Sequence, residues 1–402
     1  MTAGKNIDRR VFLSLSVGAG VAVQTRRIAS AAELGPGASA YGVRSPWEKS
    51  ARTFRANSAT PATGGSRTPL QDLYGTITPS GLHYEAHHAG VPALNPHDHR
   101  LLLHGLVDRP LVFTLEDLLR FPATSRIHFI ECAGNSGREQ LGNPGQTPQQ
   151  SHGLLSCSEW TGVPLNVLLD EAGIRPGARW IVAEGADASR HTRSIPIGKA
   201  LDDVLVAYGQ NGEAVRPEQG YPLRLVVPGW EGNVNVKWLS QIRVVEMPQM
   251  SRSETAKYVD LMPDGKSWQF SFVMEAKSVI VRPAGGQSLP GPGTYEVSGL
   301  AWSGRGRITR VEVSADGGRT WTDAVLNHPV LPKALTRFAM RWVWDGREAI
   351  LQSRCTDESG YRQPTREELV AVRGLHEGGD GLDHYNGIKT WFVHADGEVR
   401  HV

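Results

Sequence analysis

Only three cysteines occur in 402 residues, Cys132, Cys157 and Cys355, which excludes a small scaffold stapled by several disulfides. The odd count leaves at least one free thiol. The other two fall in segments that read as different domains, so no disulfide is expected. Charge of one sign is also lacking: 43 Lys+Arg stand against 41 Asp+Glu, a net charge of +2, which gives no reason to propose nucleic acid or an anionic membrane as a partner. No apolar run reaches the ~20 residues that a membrane-spanning helix needs. Beyond the leader there is no Gly-x-x-x-x-Gly-Lys-Ser/Thr loop and no strand-coupled Gly-x-Gly-x-x-Gly, which argues against a nucleotide cofactor. Gly134-Asn135-Ser136-Gly137 is one residue short of the hydrolase nucleophile elbow. Gly378 to Asp383 fits one calcium-binding nonapeptide repeat, but a single copy cannot stack. No Cys-x-x-Cys-His haem site is present.

The chain is longer than one core usually supports, so two domains behind an export segment are expected. Asp8-Arg9-Arg10 precedes Phe12-Leu13 and an apolar stretch to Val23, and Ala29-Ser30-Ala31 offers a cleavage site. A segment of ~13 apolar residues is too short to span a bilayer and reads as a signal peptide over residues 1–32. The paired arginines resemble the twin-arginine signal that exports proteins already folded, which points to the periplasm and to a cofactor inserted before export. Residues 33–75 are rich in Gly, Ser, Ala and Pro and read as an extended arm. Short apolar runs at Arg100 to His104, Ile127 to Ile130, Trp180 to Ala183 and Leu223 to Val227 mix with a threonine-capped helical period from Thr114, giving an α+β domain over residues 76–250. Texture changes between Met247 and Ser278. Phe338, Met340, Trp342 and Trp344 then alternate along one face, and Ile308, Val311 and Val313 precede an Asp316-Gly317-Gly318 turn. This pattern predicts an immunoglobulin-like β-sandwich over residues 260–385, followed by a tail at 386–402. The tryptophans at 302, 321, 342 and 344 read as sandwich core or subunit interface.

Cys132 stands where the strand-like run Ile127 to Ile130 breaks into glycine, so its sulfur is presented at a strand end. Six histidines fall within 22 residues, at positions 83, 87, 88, 97, 99 and 104. No cysteine lies nearby and their spacing matches no common zinc pattern, so surface and cofactor contact are their expected roles. Two glycine-punctuated basic segments, Gln219 to Arg224 and Pro228 to Trp238, place a fixed arginine and lysine beside backbone N–H groups, a combination suited to a phosphate.

Taken in order, Tyr84 to His88, Cys132 to Asn135, Ser194-Ile195-Pro196, Tyr208, Asn211-Gly212-Glu213, Gly220 to Arg224 and Val236-Lys237-Trp238 resemble the molybdopterin domain of the sulfite oxidase family. Within it, Pro79 to His83, Asp260 to Lys266 and Phe272 to Ser278 are most similar to the sulfane dehydrogenase branch. The resemblance implies an α+β molybdopterin domain followed by an immunoglobulin-like dimerisation domain, and hence a homodimer. It implies that Cys132 ligates molybdenum and that Tyr258 stands in the substrate pocket. Tyr84, Glu85, Ala86, His87, His88, Asn135, Asp187, Gln219, Arg224, Asn235, Val236 and Lys237 are implied to hold the molybdopterin and its phosphate.

Three positions depart from the sulfite oxidases, which carry arginine at the places of Ala86 and Gly137 and histidine at that of Gln219. Arginine grips a free oxyanion in two-pronged fashion, so losing two of them argues against free sulfite. The resemblance therefore implies oxidation of a sulfane sulfur on a carrier protein's cysteine during thiosulfate oxidation, with electrons passed to a separate c-type cytochrome subunit. The alternatives are a sulfite dehydrogenase of the same family and a non-catalytic periplasmic binding or assembly partner, for which Ala86 is the best support.

Overall fold

The computed structural model describes residues 37–55, 63–142, 145–376 and 383–402. The expected signal peptide lies outside them, as do positions 378–382 of the calcium-like turn. Contacts divide the chain into Met1–Lys49 and Ser50–Val402. Among the described residues, every helix and strand belongs to the second unit.

Two sheets form the α+β half. In one, Leu155–Pro164 pairs antiparallel with Thr124–Glu131 on one side and Leu205–Gln210 on the other, and Arg224–Val226 pairs with Leu205–Gln210. In the other, Leu101–Gly105 runs parallel to Leu239–Val245, with Leu111–Phe113, Trp180–Gly185 and Thr192–Pro196 completing the sheet. Thr114 caps the one-turn helix Leu115–Leu118: its hydroxyl accepts from the Asp117 N–H while Asp117 accepts from the Thr114 N–H.

The second half is an antiparallel sandwich. Lys277–Arg282, Gly293–Trp302, Thr336–Trp344 and Val325–Asn327 make one sheet. Thr322–Asp323, Ile308–Ser314, Ala349–Asp357, Thr390–Val393 and Val399–His401 make the other. Phe338, Trp342 and Trp344 are buried along one face as the alternation requires. Ile308 and Val311 are an odd number of positions apart, yet both are buried, because the pairing register shifts between Ile308 and Arg310.

Three expectations are corrected. Residues 386–402 are not a tail, because Thr390–Val393 and Val399–His401 extend the second sheet and bury Trp391. The end of the expected arm is built into the fold: Thr53–Arg55 pairs with Gly64–Arg67, which in turn pairs with Glu85–His87. Glycine permits that close approach, since a Cβ on Gly65 would stand 2.2 Å from the Glu85 carbonyl oxygen. A helix, Arg366–Arg373, also lies within the sandwich half, begun by a Thr365/Glu368 capping box that the sequence displays.

The two halves share one hydrophobic core, in which Leu70, Phe129 and Leu155 pack with Val279, Leu300 and Trp302. A strand buried on both faces joins them. Along Thr124–Glu131, Phe129 faces this shared core, while Ile130 joins a separate cluster with Tyr84 and Trp160. The period of two then sends Glu131 back toward the sandwich and Cys132 toward the second cluster.

Glu131 is fully buried, and Oε1 accepts from Lys277 Nζ at 2.8 Å and Asn135 Nδ2 at 2.9 Å, while Oε2 accepts from Trp302 Nε1 at 2.6 Å. Removing one member of a buried pair strands the other charge. Lys277→Met should cost about 3–5 kcal/mol in chemical unfolding. Adding Glu131→Gln to that variant should restore part of the loss, because it removes the stranded charge while the one amide oxygen keeps the bond from either Asn135 or Trp302. A double variant no more stable than Lys277→Met would contradict this account.

Candidate functional site

A cavity of about 850 Å³ opens where the Glu85–His87 strand, the turn after Cys132 and the loop from Gly232 to Trp238 converge. Of the residues expected at the site, Tyr84, Glu85, Ala86, His87, His88, Cys132, Asp187, Gln219, Arg224, Asn235, Lys237 and Tyr258 all line it. Asn135 and Val236 do not. Asn135 is wholly buried behind Cys132, donating to Glu131 Oε1 and the His152 carbonyl and accepting from the Leu154 N–H, so it fixes the turn that presents the sulfur. Val236 packs into the core of the α+β half, and its carbonyl accepts from Leu225 N–H.

The histidine cluster divides by position. His83, His87 and His88 line the cavity, whereas His99 Nε2 meets the Leu239 carbonyl at 2.8 Å and His97 is exposed. His83 stacks on Tyr84, and burial holds it down to about 3, so it is neutral.

One wall is cationic. Arg224 is buried over the face of Trp160 at 4.7 Å and donates to the Gln219 and Asn235 carbonyls, leaving its Nε without a partner. Lys237 Nζ donates to the carbonyls of Ala86 at 2.8 Å and Glu218 at 3.0 Å. Burial, and then the Arg224 charge, bring Lys237 down to about 7. Two desolvated cations side by side are costly unless an anion offsets them. Gln219 Nε2 donates to the Tyr84 carbonyl, tying this wall to the segment that leads into the Glu85–His87 strand. Arg52 adds a clasp on the same side, with Nη1 3.0 Å from Glu85 Oε2 and 3.6 Å from Glu218 Oε1. A phosphate-bearing group therefore fits this wall, and the half-buried Cys132 sulfur, lining the same cavity, suits a soft metal.

Tyr258 closes the opposite side. It follows a single π-turn, Ser253–Lys257, and its backbone N–H donates to the Ser253 carbonyl. Such turns insert an extra residue and re-aim the next side chain. The Tyr258 hydroxyl lies 3.4 Å from His88 Nε2, and the Arg193 guanidinium sits 5.0 Å from its ring centre. Burial, then the nearby Cys132, raise the Tyr258 phenol well above its ordinary value, so it stays protonated.

Sequence reasoning missed the network beneath Tyr258. Arg193 is fully buried, with Nη2 3.0 Å from Glu231 Oε1 and Nε 3.2 Å from Glu254 Oε1. His384, from the far end of the chain, places Nε2 3.1 Å from Glu231 Oε2, and its backbone N–H donates to the carbonyl of Ala133, next to Cys132. Only folding joins positions 193, 231, 254 and 384, and no local pattern marks them.

Burial opposes charge on both partners, yet bonding to Glu231 and Glu275 raises His384 to about 10, while Arg193 and His384 hold Glu231 down to about 2. The stabilisation from His384 is complete below its ordinary 6.5 and is lost as pH rises through about 10. That from Glu231 is complete above 4.5 and is lost as pH falls through about 2. His384→Gln should therefore flatten the decline in unfolding free energy between pH 6.5 and about 10; parallel declines in parent and variant would contradict the pairing.

Comparison with known proteins agrees with this geometry. Residues 88–253 match the oxidoreductase molybdopterin binding domain, and residues 268–378 match the Mo-co oxidoreductase dimerisation domain. The crystal structure of the sulfane dehydrogenase SoxCD from Paracoccus pantotrophus superposes with a TM-score of 0.91 at 48% identity, covering 96% of this chain and 99% of that one. The NADH nitrate reductase of Solanum lycopersicum is 34% identical over 318 residues, and that of Ulva prolifera 30% over 320, each across 69% of this chain. The match covers 34% of the tomato protein and 36% of the algal one, so the chain spans about a third of the curated relatives it matches. Its paired domains, its cationic wall and the cysteine at its strand end place the chain in the sulfite oxidase family of molybdopterin-binding oxidoreductases, with molybdenum–molybdopterin as its cofactor.

Proposed function

We propose that this chain is the molybdenum-bearing subunit of a periplasmic sulfane dehydrogenase that oxidises carrier-bound sulfane sulfur during thiosulfate oxidation. In this reading it is exported folded by its twin-arginine signal, dimerises through the sandwich and passes electrons to a c-type cytochrome subunit. The observation that carries the reading is the 48% identity, over 96% of this chain, to the sulfane dehydrogenase SoxCD structure, joined to a cavity that Cys132, Arg224 and Lys237 line together. Ala86 packs with Cys132 against the cluster of Tyr84, Ile130 and Trp160, where the family's sulfite oxidases have an arginine.

Cys132 would ligate the metal through its thiolate, while Arg224, Lys237 and Gln219 would hold the molybdopterin phosphate side, helped by the backbone near Asn235 and Tyr84 to His88. Bound there, the molybdenum centre supplies two-electron oxygen transfer from water to sulfur. The surrounding residues do the rest. Asn135 fixes the turn of Cys132, so the sulfur keeps its direction. Tyr258 and His88 stand within hydrogen-bonding reach of each other beside the cavity, placed to pass protons released from water toward solvent through the exposed His88. Arg193, held by Glu231 and Glu254, fixes the ring of Tyr258. With alanine at position 86 on the cavity wall, no guanidinium from that position grips a free oxyanion, leaving room for a sulfur attached to a larger body.

Two measurements test this. Protein exported with its own signal peptide should contain about one molybdenum per chain, and Cys132→Ser should lose most of it; a parent with none, from cells that load another molybdenum enzyme, would favour the non-catalytic alternative. Ala86→Arg should raise kcat/KM for sulfite by about tenfold, the range of one charge-assisted hydrogen bond. Unchanged or lower sulfite turnover would count against this reading of the pocket.

A further inference from the structure

The cavity has an acidic side as well as a cationic one. The hairpin of Asp260–Leu261 and Ser267–Trp268 and the turn at Asp383 bring two carboxyl groups to its lining. Asp260 is buried and engaged: it bonds Arg373, which lies over the face of Trp268 at 4.3 Å, and its Oδ1 accepts from the Asp383 N–H at 3.2 Å. The Asp383 side chain is half-buried, and among the described residues its carboxylate meets no donor or cation at bonding distance.

The cations nearest to Asp383 already have partners. Arg373 is held by Asp260, and His376 places Nδ1 4.0 Å from Asp260 Oδ1 and Nε2 3.1 Å from the Arg373 carbonyl. His384, the next residue, is bonded to Glu231, which is a further negative group facing Asp383. Burial, and then Asp260 and Glu231, push the Asp383 carboxyl up to about 7 against the pull of His384 and Arg373. Its charge also reaches the phenol side of the cavity, where it helps to keep Tyr258 protonated. Across the cavity Arg224 and Lys237 form the wall suited to a phosphate, while Arg252 and Lys257 are exposed, so solvent and salt screen them.

We propose that Asp383 is a specificity-determining residue: its carboxylate turns small, doubly charged oxyanions away from the cavity, while a sulfur attached to a larger body, with less charge and further contacts to hold it, is admitted. The inference rests on the tethered-sulfur reading above and adds a repulsive element to it. Ala86 withholds a grip on the free oxyanion, and Asp383 opposes it with a like charge. Discrimination built from a missing attraction and an added repulsion is stronger than either alone.

The test is calorimetric titration of the dimeric holoenzyme with sulfate, which keeps both charges from pH 6 to pH 8, whereas sulfite takes up a proton in that range. Parent protein should bind sulfate about tenfold more weakly at pH 8 than at pH 6, within what one like charge at close range contributes near a protein surface. Asp383→Asn, compared at equal molybdenum content, should bind equally at both values and about tenfold more tightly than the parent at pH 8. Asp383→Glu should behave as the parent. A parent whose affinity does not fall with pH overturns the proposal without any variant. A fall that persists in Asp383→Asn does so too, because it would belong to another group, such as Lys237. Sulfate binding that is absent from both proteins also overturns it. Turnover with a persulfide-loaded carrier is measured separately: its absence beside the expected sulfate series would remove the tethered-sulfur reading and leave the repulsion by Asp383 standing.

Discussion

The buried carboxylate of Glu131 is the constraint on which the rest of the molecule depends. It sits one residue before the cysteine that faces the cavity, and its partners come from the sandwich: Lys277 from the first strand, Trp302 from the second. A buried ion pair is a doubtful source of net stability, because desolvating both charges cancels much of their attraction. What this pair supplies is registry. A slip of one residue in Thr124–Glu131 would turn the carboxylate into the cavity and the thiol into the sandwich, and each would then lack a suitable partner.

The same logic runs through the cavity. Its cationic wall and its phenol side are each held by buried groups. Arg224 is fixed by the carbonyls of Gln219 and Asn235 and by the face of Trp160. The Tyr258 ring rests against Arg193, whose charge is neutralised by Glu231 and Glu254. His384 then links that network to the turn of Cys132. Positioning of this kind removes freedom before any ligand arrives, so little reorganisation is left for the reacting groups.

Much of the architecture could be read from local pattern. Alternation along Phe338 to Trp344 announced a half-buried strand, and the apolar run at Ile127 to Ile130 announced a second strand. The pattern was weaker where a backbone is held by tertiary contact. Thr53–Arg55 and Gly64–Arg67 have the composition of a loop, and they join a sheet because Gly65 lets the Glu85 strand come close. The strands after Thr390 looked like a tail because each is short, and burying Trp391 against the sandwich is what orders them.

At the site, the residues that meet the cavity lie in short segments with visible chemistry: a cysteine before glycine, histidines after Tyr84, and an arginine and a lysine among glycines. Sequence was enough to find these because ligand contact demands particular side chains at closely spaced positions. It assigned Asn135 and Val236 to the cavity, although the fold turns them away from it, since side-chain direction depends on the strand and loop geometry that surrounds them. The groups that hold the contacting residues, Arg193, Glu231, Glu254 and His384, are far apart in the chain. A buried charge requires only that its opposite be within reach in space, so their partnership was decided by tertiary structure alone.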